Sequence, residues 1–77
     1  MPTAFVHIIV DQGALYHAAE EIAALNSISD VHVVTGEFDI IAQLELDDIA
    51  ELPNVVGNEI HPISGVIETM TSVAFPV

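Results

Sequence analysis

The feature that most constrains this chain is a charge of one sign. It contains 12 Asp and Glu residues and no Lys or Arg, so its formal net charge at pH 7 is −12. Ordinary domains carry charges of both signs. Because 52% of the residues are hydrophobic, the low hydrophobicity that is typical of acidic disordered chains is missing. The sequence therefore predicts a folded domain whose carboxylates all lie on an acidic surface.

This charge also limits the environment and the partners of the protein. Uncompensated carboxylates repel one another in a compact state, and 1 M salt screens that repulsion within about 3 Å. We therefore expect a halophilic protein in a salt-rich cytoplasm; an acidic tail or decoy for a basic partner is the alternative. Since nucleic-acid binding depends on Lys and Arg that neutralise phosphates, we expect no direct nucleic-acid contact.

Length and cysteine content indicate that the domain associates with other chains. The 77 residues form one domain, and a domain of this size buries only about 60% of its unfolded surface. Disulfides, a metal or a partner chain usually supplement such a core, and the chain has no cysteine. That absence fits a reducing cytoplasm, and the apolar stretch 4–10 is far shorter than the roughly 20 residues of a membrane span. We expect a cytoplasmic homo-oligomer with no cofactor and no membrane partner.

Hydrophobic periodicity predicts four strands and two helices. The predicted strands are 3–10, 31–34, 39–46 and 66–75, with a tight turn at 35–37. The first helix runs between Leu15 and Asn26, and the second follows the capping pair Asp47-Asp48 and ends near His61. Pro53 and Gly57 predict a kink or a late start in the second helix.

The order of these elements is β-α-β-β-α-β, which is the split βαβ pattern of the ferredoxin-like α+β fold. In that fold both helices cover one face of the sheet. Strands one and three place mainly apolar residues on the other face, and an exposed apolar patch of this kind marks an interface. We predict a face-to-face dimer of the dimeric α/β-barrel type, stable at low micromolar concentration.

Two motifs carry a family resemblance. The first is Val34-Thr35-Gly36-Glu37-Phe38-Asp39 between strands two and three, and the second places Gly65, Val66, Thr69 and Thr71 in a G-V-x-x-T-x-T pattern. In these motifs the chain resembles the ligand-binding (RAM) domain of the Lrp/AsnC family of transcriptional regulators and its stand-alone versions. The resemblance implies ferredoxin-like subunits that pair into dimers, and dimers that form larger assemblies with small effectors, usually amino acids, at their contacts.

The resemblance also implies how the module acts. We expect a single RAM-like domain over residues 1–77 without the helix-turn-helix domain that the family's regulators carry. Transcription would then be regulated through self-assembly, or through co-assembly with a full-length Lrp-like regulator. A purely structural oligomerisation module is the alternative interpretation.

The resemblance assigns effector binding to both motifs. The predicted effector-binding residues are Thr35, Gly36, Glu37, Phe38, Asp39, Thr69 and Thr71. The carboxylate of Asp39 suits the ammonium of an amino acid, and turn amides form a nest for its carboxylate. Because the chain has no arginine for bidentate recognition of the effector carboxylate, threonine hydroxyls would assist the turn amides in binding it. Simpler roles remain open: Gly36 as a turn glycine, Phe38 as a plug in the dimer contact, and the threonines as strand formers.

Neither a metal site nor an enzyme is expected. His17 and Glu21 have helical i, i+4 spacing, but no H-E-x-x-H or similar run is present, and we interpret His7 and His32 as packed strand residues. Dimeric ferredoxin-like barrels also include small isomerases and monooxygenases, which keeps an enzyme as a minor alternative by fold analogy. The chain offers no cysteine or lysine and a single tyrosine, Tyr16, so we predict no catalytic residues.

Overall fold

The computed structural model describes residues 3–77 and shows four strands and two helical segments. The strands are β1 (Thr3–Val10), β2 (Ile28–Val33), β3 (Ile40–Glu45) and β4 (Val66–Ala74). Helix α1 (Leu15–Ala23) follows a 3-10 turn at Gln12–Ala14. The second helical segment consists of a 3-10 turn (Ile49–Glu51), an α-helical turn (Leu52–Asn54) and a π-helical stretch (Val55–Ile60). The predicted element order is confirmed.

The four strands form one antiparallel sheet in the order β2-β3-β1-β4. β1 and β3 are central, and β2 and β4 are the edge strands. The central register pairs His7 with Ile41 on one side and with Met70 on the other. This topology confirms the ferredoxin-like fold.

The core lies between the helices and one face of the sheet. Alternate residues of the two central strands enter it: Ala4, Val6, Ile8 and Val10 of β1 and Ile40, Ala42 and Leu44 of β3 are 0 to 2% exposed. Ala18 and Ile22 of α1 and Val55 and Ile60 of the second helical segment cover them. Each fully buried Ile, Leu or Val contributes about 1.5 to 3 kcal/mol. Among residues 3–77 no polar or charged residue is buried, so every described carboxylate lies outside the core.

We call the other side of the sheet the open face, because no helix within residues 3–77 covers it. By strand register it consists of Asp30 and His32 of β2, Ile41, Gln43 and Glu45 of β3, Thr3, Phe5, His7 and Ile9 of β1, and Glu68, Met70, Ser72 and Ala74 of β4. Its centre is half-buried by neighbouring side chains, whereas Asp30, His32, Glu45 and Glu68 on its edges are exposed. The expectation that His32 is packed is therefore wrong, since its edge strand leaves it in solvent.

The second helical segment begins where the sequence indicates and is irregular along its length. Asp48 caps its start by accepting a hydrogen bond from the backbone N–H of Ala50 at 3.0 Å. Pro53 lies in the first turn of the α-helical part, where its missing N–H removes no hydrogen bond. The predicted irregularity takes the form of two changes of helix type. Within the described residues no helix combines the length and apolar character that crossing a bilayer requires.

Several predicted boundaries differ from the structure, and the differences are largest at β2, α1 and the β2–β3 connection. β2 begins at Ile28, because 28–30 pair with β3 across a register shift, and the Ser29 hydroxyl donates to the Gln43 carbonyl at 3.1 Å. Helix α1 ends at Ala23, short of Asn26. The connection between β2 and β3 is a six-residue loop, 34–39, in place of a tight turn at 35–37.

Candidate functional site

The β2–β3 loop (34–39) carries five of the seven predicted effector-binding residues. The Val34 N–H donates to the Asp39 carbonyl at 2.9 Å and closes the base of the loop, and the Asp39 N–H donates to the Ile8 carbonyl at 3.0 Å. The loop is therefore fixed both to itself and to the central strand β1. Its tip, Thr35-Gly36-Glu37, is exposed.

Gly36 has a backbone requirement but no packing requirement. Its φ is +116°, a region that residues with a Cβ rarely adopt. A Cβ added there would meet no atom within 4 Å. The backbone conformation of the loop therefore favours glycine at this position. The space next to the loop tip is open.

The carboxylate of Asp39 has one structural contact. Its Oδ2 accepts a hydrogen bond from the Val10 N–H at 3.0 Å, and the side chain is half-buried. The carboxylate thus satisfies the last N–H of β1 at the point where β3 no longer pairs with it. The Oδ1 atom of Asp39 forms no hydrogen bond with any of the described residues. One carboxylate oxygen therefore holds the loop, and the other is left without a hydrogen-bond donor among the described residues.

Phe38 contacts the open face. Its ring centroid lies 5.0 Å from that of His7, with an interplanar angle of 50°, which is the tilted geometry that aromatic rings favour. Because His7 belongs to the open face, Phe38 lies against that side of the sheet. The contact joins the loop to the surface on which we predict dimer formation.

Thr69 and Thr71 are on the helical side of the edge strand β4. Thr69 pairs with Ile8 and Thr71 pairs with Val6; Thr69 is half-buried and Thr71 exposed. Asp39 binds Ile8 from the β3 side, so Thr69 and Asp39 flank the same residue, roughly 10 Å apart across two strand spacings. Within one chain the seven predicted residues form two separate groups, a loop and a strand edge.

Neither of two depressions on the described surface is lined by a predicted effector-binding residue. One, of about 250 Å³, lies between α1 and β2 beside Ala23 and Val31. The other, of about 420 Å³, is lined by Thr3, Phe5, Ala74, Phe75 and Pro76.

Gly65 of the second motif has a structural role. Its φ is +95°, and a Cβ at this position would collide with the Cβ of Ala14 in the 3-10 turn. Its carbonyl also accepts a hydrogen bond from the Asp11 N–H at 2.8 Å. The glycine of the G-V-x-x-T-x-T pattern thus lets the start of β4 pack against the end of β1 and the turn that follows.

Other polar groups add little to the site. His17 Nε2 and Glu21 Oε1 lie 3.5 Å apart as an exposed i, i+4 pair, and such pairs contribute at most a few tenths of a kcal/mol. Among residues 3–77 no group of three or more His, Asp or Glu side chains is placed to hold a metal ion.

Two contacts at the loop cannot be read from the sequence. The hydrogen bond from Val10 to Asp39 joins residues 29 positions apart, and no local signal predicts it. Alternation in β1 does place His7 on the open face, but it does not show that the loop turns back so that Phe38 reaches it.

Comparison with known proteins agrees with the geometry. The family described as Lrp/AsnC ligand binding domain matches residues 3–76. An uncharacterized HTH-type transcriptional regulator of Pyrococcus furiosus is 34% identical over 76 residues, which cover 95% of this chain and 51% of that protein. The chain thus spans about half the length of that regulator.

Solved structures show the same fold. A protein of Thermus thermophilus superposes with a TM-score of 0.94 at 38% identity, covering 100% of this chain and 96% of that one. A transcriptional regulator of Neisseria meningitidis, solved as a complex with L-Met, superposes with a TM-score of 0.87 at 18% identity, covering 97% of this chain and 50% of that one.

Proposed function

We propose that this chain, which belongs to the family of Lrp/AsnC ligand-binding domains, is an amino-acid-binding oligomerisation module that acts in transcription regulation. It works by assembling with itself or with a DNA-binding regulator of the same family. The family description and the match to an HTH-type regulator support this role. The observation that carries the proposal is the fixed β2–β3 loop, which presents an exposed tip beside one unused carboxylate oxygen of Asp39.

The loop has the chemistry to bind both charged groups of an amino acid. The Asp39 Oδ1 atom accepts from the ammonium, and this contact is stronger than a neutral hydrogen bond because both partners are charged. The N–H groups of Gly36 and Glu37 have no backbone partner among the described residues, so they are available to the effector carboxylate as an anion nest. The L-Met complex of the Neisseria regulator supports an amino acid as the ligand class.

We assign the threonines to a second subunit. In one chain Thr69 and the loop lie on opposite sides of Ile8, and neither of the two depressions described above joins them. A site completed between chains would let the exposed Thr71 hydroxyl of one subunit approach the loop of another. A ligand that binds only there stabilises the assembly by RT ln(1 + [L]/Kd), which couples effector concentration to oligomeric state.

The open face has the composition of a dimer interface. The apolar residues Phe5, Ile9 and Ile41 lie on its central strands and Met70 on the edge strand β4, while the carboxylates of Asp30, Glu45 and Glu68 lie at its borders. An apolar centre with a charged rim is the usual anatomy of a protein interface.

The Asp39→Asn variant tests the effector site. An Asn side chain keeps an oxygen that accepts the Val10 N–H but removes the charge that an ammonium requires. We expect calorimetry with the twenty amino acids, in molar salt, to give heat with at least one of them for the natural chain and no heat for Asp39→Asn. Unchanged thermal unfolding would show that the loop is intact.

The control is Glu20→Gln, which removes one exposed charge from helix α1 and should bind as the natural chain does. Equal binding by Asp39→Asn and Glu20→Gln would remove Asp39 from the site.

A structural module without an effector is the second candidate. The hydrogen bond between Asp39 and Val10 favours it, because it gives the most distinctive residue of the first motif a role in the fold alone. This candidate predicts no heat with any amino acid and an oligomer whose mass ignores them.

A further inference from the structure

The outer side of strand β2 is an unpaired edge of the sheet. In the order β2-β3-β1-β4, β2 pairs only with β3, and residues 30–33 do so in regular register. The backbone groups on its outer side therefore meet no other strand within residues 3–77. An added strand from an extended peptide satisfies such groups. Proline and lysine often block an edge of this kind, and β2 contains neither.

A depression of about 250 Å³ adjoins this edge. It is lined by Ile28, Ser29, Asp30 and Val31 of β2 and by Ala23, the last residue of α1. The depression thus lies beside the strand that a bound peptide would extend. It is placed to receive one side chain of that peptide.

The polar side chains that line the depression offer hydrogen-bond acceptors. The Ser29 hydroxyl donates its proton to the Gln43 carbonyl at 3.1 Å, so only its lone pairs remain for a ligand. Asp30 adds an exposed carboxylate. A lysine ammonium or an arginine guanidinium, which donates hydrogen bonds and accepts none, is the chemical complement of such a lining.

The end of helix α1 favours a positive charge at the same place. The C-terminus of a helix carries a partial negative charge, which basic residues in the last turn often offset. Helix α1 has no basic residue there. The carbonyls of Ala23 and Ala24 accept no backbone hydrogen bond from the described residues. A cation beside Ala23 would therefore meet both the carboxylate of Asp30 and the negative end of the helix.

We propose that the β2 edge binds an extended segment of another protein and that a lysine or arginine of this segment enters the depression. The backbone of the segment pairs with β2, and its basic side chain contacts Asp30 and the end of α1. A second copy of this chain does not supply such a side chain, since it has no Lys or Arg. The proposal is independent of the effector site, because the depression shares no residue with the β2–β3 loop.

The test is a titration with a short capped peptide in which lysine alternates with threonine, a residue that favours extended backbone. Amide NMR shifts of the full chain are followed at the lowest salt concentration at which circular dichroism shows it folded. We expect the shifts to concentrate at residues 28–33 and Ala23. A net charge of −12 also attracts any basic peptide, so shifts spread evenly over all carboxylate-bearing segments would overturn the proposal.

Two modified peptides separate backbone pairing from charge. N-methylation of alternate amides on the pairing side removes the donors that β2 carbonyls require, and norleucine in place of lysine removes the positive charge. Each change should raise the dissociation constant about tenfold, since each removes several contacts. An N-methylated peptide that binds as tightly as its parent would contradict strand pairing.

Variants of the chain test the depression itself. Ala23→Leu fills it without a change of charge and should weaken binding about tenfold. Ala24→Leu is the matched control, because Ala24 is the exposed neighbour that does not line the depression. Equal dissociation constants for the two variants would remove the depression from the binding site.

The role of Asp30 has its own pair of variants. Asp30→Asn should weaken binding about twofold to fivefold, as loss of an exposed ion pair does. Glu51→Gln removes the same charge from an exposed position on the second helical segment and should leave binding unchanged. Equal effects of the two variants would reduce the contribution of Asp30 to net charge and contradict a direct contact.

Discussion

The two faces of the sheet are made by the same strands yet differ completely in their surroundings. On the covered face Val6, Ile8, Ile40 and Leu44 are 0% exposed and contact only apolar side chains of the helical layer. On the open face Phe5, His7, Ile9, Ile41 and Gln43 of the same central strands are half-buried, and Met70 of the edge strand β4 is 56% exposed. One face stabilises the fold, and the other leaves part of its apolar surface exposed to solvent.

Truncation of a buried side chain on the covered face should have the largest effect on stability. Ile8→Ala removes a fully buried side chain from the centre of the core and should lower the free energy of unfolding by about 2 to 5 kcal/mol. Urea unfolding in molar salt measures the change.

Ile9→Ala is the paired variant, because Ile9 is the next residue of β1 but belongs to the open face. At concentrations where the chain is monomeric it should cost only about 1 kcal/mol, and its main effect should be a weaker dimer. Equal losses for the two variants at low concentration would break the distinction between the faces.

The two glycines with positive φ extend the comparison to the loops. Gly65→Ala strains the backbone and also forces a collision with Ala14 beside the helical layer, so we expect a loss of about 2 to 4 kcal/mol. Gly36→Ala adds a Cβ in open space and should cost only the backbone strain, about 1 to 2 kcal/mol. Thermal unfolding of both variants compares their losses of stability. A larger loss for Gly36→Ala than for Gly65→Ala would contradict the packing role of Gly65.

Removal of the helix cap at Asp48 should have the smallest effect on stability. Asp48→Ala removes the side chain that accepts the Ala50 N–H and should lower stability by about 1 kcal/mol. Asp47→Ala removes the same charge from the exposed position immediately before it and should leave stability almost unchanged. If both variants lose stability equally, the hydrogen bond is not the cause.

Periodicity predicted the elements whose side chains alternate between the core and another surface. β1 has the predicted bounds 3–10 and β4 differs by one residue, because β-branched residues recur at every second position. The start of β2 was not predicted, since Ser29 and Asp30 interrupt the apolar pattern and the register shifts beside them. A strand on the edge of a sheet tolerates such polar residues because one side of it faces solvent.

The candidate site could be predicted only as a set of residues. The motifs identified the loop and the strand that carry them, but the division into two groups depends on strand order, which places β1 between β3 and β4. The dual role of Asp39 also depends on tertiary structure, since its partner Val10 is on another strand. Effector-binding roles for these residues stay predictions.

The most direct test of an effector-coupled assembly is multi-angle light scattering, in molar salt to screen the net charge of −12, with and without a pool of free amino acids. We predict a dimer whose mass rises in whole multiples when the pool is present, because a ligand held between subunits stabilises their contact. An identical mass in both conditions would contradict the effector-coupled account and leave a structural oligomerisation module.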